Sequence, residues 1–327
     1  MAARIDTTRP HTARIWNYWT GGKDNYPVDR EVGDQIRTLH PGIGDYALAD
    51  RKFLGRAVRH LAGKAGIRQF LDIGTGLPSA DNTHQVAQSV APDARIVYVD
   101  NDPLVLVHAR ALLTGTAEGS TDYLDADLRD IDTILAQAAR TLDFSEPVAL
   151  MLLGVVIFVE DDEESYGVVR RLMDALPSGS HLVLSHTITS PAMPDVDAAV
   201  AFWNEHGTPR LTQRTPEQVE RYFDGLELLP PGVVSCNRWR PDAAESPLTP
   251  EEVAMYGRGA QGVAGHVRGR AGRRRRAMRQ ARPAPLRPRP CPAPGAAEPR
   301  SCSPPAAARA RRTGAPGERL HGTGVAA

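Results

Sequence analysis

Cysteine is scarce in this 327-residue sequence, which has three: Cys236, Cys291 and Cys302. No two of them have metal-ligand spacing. That excludes a thiolate metal centre and a disulfide-stapled scaffold, and no metal is expected. Few thiols and no bridge framework suit a reducing, cytoplasmic setting. Long apolar runs are missing too. The longest, Val148 to Val159, falls short of the ~20 residues a membrane helix needs. The N-terminus carries no apolar stretch of the export-signal kind. Lysine is scarce as well: the last of three is Lys64, whereas arginine continues far beyond it.

What is present divides unevenly. The formal net charge is zero, but sixteen arginines and only two acids, Glu298 and Glu318, lie from Gly257 onward. The preceding 256 residues therefore hold 23 basic and 37 acidic residues, so a body near −14 precedes a tail near +14. An acidic body is a poor partner for nucleic acid, whose phosphates reward positive surfaces. The tail could meet polyanions only as an unstructured basic segment does. Its Arg, Pro, Ala and Gly show no hydrophobic period and predict disorder over 257–327. Arginine without lysine is also what a shifted reading frame of a GC-rich gene yields.

Along the body, residues 1–45 read as a short helix, a glycine break at Gly21-Gly22, and a second helix over Val28–Leu39, together a helical cap. Apolar positions of helical spacing follow over 46–65. Strands are expected at Gln69–Ile73, Arg95–Asp100, Tyr123–Leu128, Val148–Val159 and Ser180–His186. Helices alternate with them at 79–90, Pro103–Leu113, Ile131–Thr141 and Glu163–Leu176. This alternation predicts a doubly wound, mostly parallel sheet with helices on both faces over 46–256. Helices at Ala198–His206 and Thr215–Phe223 come next. Two closing strands, Leu226–Leu229 and Val233–Trp239, are expected to pair across Pro230-Pro231-Gly232.

The chemistry concentrates at the strand ends. Gly74 and Gly76 follow the first strand, where a nucleoside must approach bare backbone. Asp72 precedes that turn and could orient the loop or meet a charged group. Asp100 ends the next strand, 28 residues on, where a carboxylate accepts ribose hydroxyls. Asp127 follows the third strand, placed to accept an adenine amino group while Leu128 packs on the ring. A dinucleotide fingerprint would require a third glycine, but Pro78 and Ser79 follow Gly76. A cofactor without phosphate tolerates that departure.

Phe70–Pro78, Val97–Pro103 and Ala126–Arg129 resemble class I S-adenosylmethionine (SAM)-dependent methyltransferases. Ala13–Tyr18 with Gly21–Tyr26, and Pro231–Val234 with Arg238–Pro241, are similar to an actinobacterial S-adenosyl methyltransferase family long catalogued as a domain of unknown function. The resemblance, over roughly residues 10–257, implies a Rossmann-like sheet with SAM at the carboxyl ends of the strands. It implies that Asp72, Gly74 and Gly76 form the cofactor loop. It places Asp100 at the ribose and Asp127 at the adenine, counts Asn101 and Leu128 among the cofactor-binding residues, and has the N-terminal signature capping the methyl group. The family defines no acceptor; the acidic body suits a small molecule.

Methyl transfer from a sulfonium needs positioning more than covalent help. A base is required only for a hydroxyl or amine acceptor, and His186, Asp24 and Tyr18 are the candidates. Each has a plainer reading: His186 as a hydrogen-bonded core residue, Asp24 as half of a solvated pair with Lys23, Tyr18 as a packed aromatic beside Trp16 and Trp19. Two other functions fit the same fold, a non-catalytic SAM-binding regulator and an NAD-dependent dehydrogenase.

Overall fold

The computed structural model describes residues 6–112, 115–241 and 252–262. The expected tail from 263 onward lies outside the described residues. Two helices open the chain, α1 (Thr12–Trp19) and α2 (Pro27–Leu39). Buried Arg14 and fully buried Asp29 tie them together through a 2.8 Å ion pair. Asp29 also accepts the backbone N–H groups of His11 and Tyr26, so its charge is fully partnered. The long helix α3 (Ile43–Gly63) follows and buries Phe53, Ala57, Val58 and Leu61 at helical spacing.

The sheet contains β1 (Gln69–Ile73), β2 (Arg95–Asp100), β3 (Ser120–Asp125), β4 (Ala149–Leu153) and β5 (His181–Thr187), all mutually parallel. Between them run α4 (Thr83–Val90), α5 (Pro103–Leu112), α6 (Ile131–Ala138) and α7 (Asp162–Asp174). Then come α8 (Pro194–His206), α9 (Pro216–Glu220), β6 (Leu226–Leu228), β7 (Val234–Ser235) and β8 (Met255–Gly262). Strand order is β3-β2-β1-β4-β5-β8-β6, with β7 also on β8. The parallel half is the doubly wound arrangement expected, and order reverses beside β1, where such sheets bind ligands.

Five expectations need correction. The apolar run Val148–Val159 is not one strand: β4 stops at Leu153, Gly154 turns with φ +58°, and Val156–Phe158 form a 3-10 turn. Unbroken hydrophobicity there reflects burial of a turn, which periodicity does not distinguish from a buried strand. The third strand ends at Asp125, so Asp127 stands in the loop beyond it. Helix α4 starts at Thr83, after Asn82 and Gln85 cap it reciprocally, not at residue 79.

The largest correction concerns Gly257. It was expected to begin the tail, yet β8 runs antiparallel to β5 over seven residue pairs, from His181↔Gln261 to Thr187↔Met255. β6 and β7 do not pair with each other; they lie end to end along the other edge of β8. Small residues are required at this strand. A Cβ on Gly257 would stand 2.8 Å from the Phe53 ring of α3. The signal that looked like composition collapse is thus close packing of a helix on backbone.

Candidate active site

The chain turns sharply where β1 ends. Gly74 (φ +78°) and Gly76 (φ +63°) take left-handed backbone conformations that other residues resist. Gly74 N–H donates to the Val99 carbonyl at 2.7 Å, which draws the loop across the end of β2. A Cβ on Gly74 would meet Val155 at 2.3 Å, whereas Gly76 faces open space.

Above this loop lies a cleft of about 360 Å³. Asp72, Gly74, Gly76, Asp100, Asn101, Asp127 and Leu128 all line it. Asp100 joins two strand ends: one carboxylate oxygen accepts Gly76 N–H at 2.8 Å and the other accepts Asp102 N–H at 2.9 Å. Burial raises its pKa. Asp102, not Asp100, caps α5, accepting from Leu104 N–H at 2.8 Å. Asp127 accepts from Arg129 N–H (2.8 Å) and from the Asn101 amide (3.2 Å), so Asn101 bridges the ends of β2 and β3. Asp72 is buried and accepts the Thr83 hydroxyl at 2.5 Å, fastening the glycine loop to the start of α4. Desolvation pushes Asp72 up to about 6, and does the same to Asp50, a cleft residue of α3.

None of the three base candidates lines this cleft. His186 is fully buried behind it. Its Nδ1 donates to the Thr187 carbonyl (2.7 Å) and its Nε2 accepts from Arg214 (2.9 Å). Burial lowers its pKa to about 3, so the ring is neutral and structural. Arg214 in turn binds Asp162 and the Val159 carbonyl, locking the turn after β4 onto β5. The Tyr18 hydroxyl donates to Asp34 at 2.7 Å, away from the cleft. The Asp24 N–H donates to Asn17 Oδ1 at 2.9 Å, and its carboxylate lies 3.9 Å from His108. Strand-rim position and proximity to glycines did not reveal where these side chains point.

Sequence reasoning passed over several cleft residues. From α1 comes Thr12; from α3, Asp50 and Arg51; after β4, Glu160; Trp16 and Asn17, also at the cleft, belong to the N-terminal signature expected to cap it. In sequence, Arg51 is a charge at helical spacing, which gives no sign of a neighbouring strand end. Its Nη2 donates to the backbone carbonyls of Ala80 and Asp81, at 3.1 and 3.3 Å. The other cleft arginines are held by carboxylates, Arg129 by Asp127 and Glu164, Arg210 by Glu160.

The pattern of the S-adenosyl methyltransferase family matches residues 1–264. The chain belongs to that family. A DUF574 family protein from Streptomyces avermitilis is 44% identical, with a TM-score of 0.74, over 79% of this chain and 100% of that one. A proposed methyltransferase from Thermobifida fusca is 40% identical with a TM-score of 0.71, over 79% and 97% of the two chains. No curated protein matches the chain. As a member of this S-adenosyl methyltransferase family the chain uses SAM, and β8 lies inside the matched region. Among the described residues no helix is long and apolar enough to cross a membrane.

Proposed function

We propose that this cleft holds SAM with its adenosine end between β2 and β3 and its amino-acid end beneath α1 and α3, for transfer to a small-molecule acceptor. One electrostatic observation carries the reading. Asp50, Asp72, Asp100, Asp127 and Glu160 line a single cleft whose arginines, apart from Arg51, are already paired with carboxylates. Such a surface favours a ligand of net positive charge, which a sulfonium with its ammonium supplies. It opposes a pyrophosphate. Because α4 starts only at Thr83, no helix N-terminus stands directly after Gly76 to receive a phosphate either.

The donor set suits the cofactor. Each Asp100 oxygen accepts one backbone N–H and retains a lone pair for one ribose hydroxyl. The Asp127 carboxylate is placed for the adenine amino group, with buried Leu128 beneath the ring. Arg51 is the cation for the amino-acid carboxylate, and Asp50 and Asp72 face the ammonium. When bound, SAM supplies an activated methyl carbon; the residues of the chain orient it and exclude water.

Titration of the full chain with S-adenosylhomocysteine and, separately, with NAD in a calorimeter tests this. Heat is expected from S-adenosylhomocysteine alone. Heat from NAD alone would overturn it in favour of a dehydrogenase.

A further inference from the structure

Beyond Trp16 the cleft has a side chamber of about 50 Å³. Thr12, Trp16 and Phe158 line both spaces and form the threshold between them. The chamber walls are mainly apolar, with Trp19, Ile36, Trp203 and Leu211 among them. Three polar side chains interrupt that lining besides Thr12. Two satisfy each other: the Tyr46 hydroxyl and the Thr187 hydroxyl lie 2.5 Å apart. The third is His40, at the C-terminus of α2.

His40 Nδ1 lies 2.5 Å from a carboxylate oxygen of Asp195, on α8. A carboxylate accepts, so Nδ1 carries the hydrogen, and the free-base ring then presents its lone pair at Nε2. That Nε2 is buried and has no hydrogen-bond partner in the described structure. Buried acceptors are rarely left so, because an unmade bond costs about 1–3 kcal/mol. An imidazole oriented by a carboxylate, beside an apolar chamber, is the arrangement of a proton acceptor.

Position supports the same role. With adenosine at the ends of β3 and β2, the sulfonium must face the ends of β4 and β5. Phe158 follows β4 and Thr187 ends β5. On this SAM reading, we propose that the chamber is the acceptor subsite, that it takes the hydroxyl-bearing edge of an aromatic alcohol, and that His40 receives the hydroxyl proton. A cavity of about 150 Å³ admits a whole benzene ring. The chamber alone therefore takes the edge, and the remainder of the ring lies in the main cleft. The acceptor oxygen forms a bond to the methyl carbon, the carbon–sulfur electron pair stays on sulfur, and the hydroxyl proton passes to Nε2. Asp195 stabilises the imidazolium so formed.

Phenol and toluene, which differ in one hydroxyl, are the probes, added to the full chain already saturated with S-adenosylhomocysteine. Phenol is expected to bind at least about tenfold tighter than toluene, one hydrogen bond's worth. His40→Phe should erase that preference. Ala199→Phe, which fills the chamber, should abolish binding of both probes while S-adenosylhomocysteine still binds; if it does not bind, Val200→Phe fills the chamber from the adjoining position. With SAM, anisole should form, and His40→Phe should slow it about 100-fold or more. Asp195→Asn should lower kcat and leave the KM for phenol unchanged. Equal binding of phenol and toluene, phenol binding to the filled chamber, absence of anisole, or an unslowed His40→Phe would each overturn the proposal. Failure of wild type to bind S-adenosylhomocysteine, read before any probe is added, would instead remove the cofactor reading.

Discussion

Replacing Asp100 by Asn tests whether the cleft reads a ribose through one carboxylate. The two Asp100 oxygens hold the Gly76 and Asp102 N–H groups at 2.8 and 2.9 Å. An amide keeps one acceptor oxygen and turns an NH2 toward the other donor, so one backbone bond is lost. It also removes the charge from both bonds that remain for ribose hydroxyls. Bonds to a charged group contribute about 1.5–3 kcal/mol each, against about 1 for a neutral one. Weakening one of the ribose bonds and losing the other amounts to about 2–5 kcal/mol, or roughly 30- to 5,000-fold in Kd. Calorimetric titration with S-adenosylhomocysteine measures this directly, with adenosine as a second ligand that should lose a similar factor. An Asp100→Asn protein that melts as wild type does and binds within about threefold of it would refute the ribose assignment.

Other outcomes follow from the same geometry. Arg51→Met should weaken S-adenosylhomocysteine about tenfold and leave 5′-methylthioadenosine, which lacks the amino-acid end, unaffected; parallel titrations check it. Gly74→Ala places a Cβ 2.3 Å from Val155 in a left-handed conformation, and should cost about 2–4 kcal/mol in denaturant unfolding. Asp72 titrates near 6 when folded, above its unfolded value of 3.8. The neutral form is therefore favoured in the folded protein. Its contribution is fully present below pH 3.8 and is lost as pH rises through 6. Asp72→Asn should accordingly raise the ligand-free melting temperature more at pH 8 than at pH 5, while weakening S-adenosylhomocysteine binding. A chain ending after residue 256 lacks β8 and should fail to give a cooperative melt, whereas one ending after residue 264 should melt like the full chain.

The parallel half of the fold was legible because its strands are bounded by punctuation. Gln69–Ile73 runs into glycines and Arg95–Asp100 into Asp102-Pro103, and both strands lie where their patterns place them. The positions of Asp72, Asp100 and Asp127 were legible for the same reason. Side-chain direction was not. His186 ends a strand on the correct rim, yet the buried guanidinium of Arg214, 28 residues later, captures it. Arg51 sits on a helix whose charged face looks solvated, and only its reach to the Ala80 and Asp81 carbonyls beyond β1 brings it into the cleft. β8 was hidden most completely. Met-Tyr-Gly-Arg-Gly-Ala-Gln-Gly has neither alternation nor bulk, because Phe53 and Trp239 supply the volume and the strand supplies backbone. His40 and Asp195 lie 155 residues apart, a separation at which no local pattern signals a pair.

The strand that fills the gap between β5 and β6 is the last of the described elements to be synthesised. Until residue 262 has left the ribosome, β5 carries a bare edge of unpaired N–H and C=O groups flanked by Leu182, Val183 and Leu184. An apolar edge of that kind recruits strands from other chains. Completion of the sheet therefore waits for β8, and a chain that ends before it should expose this edge to other chains.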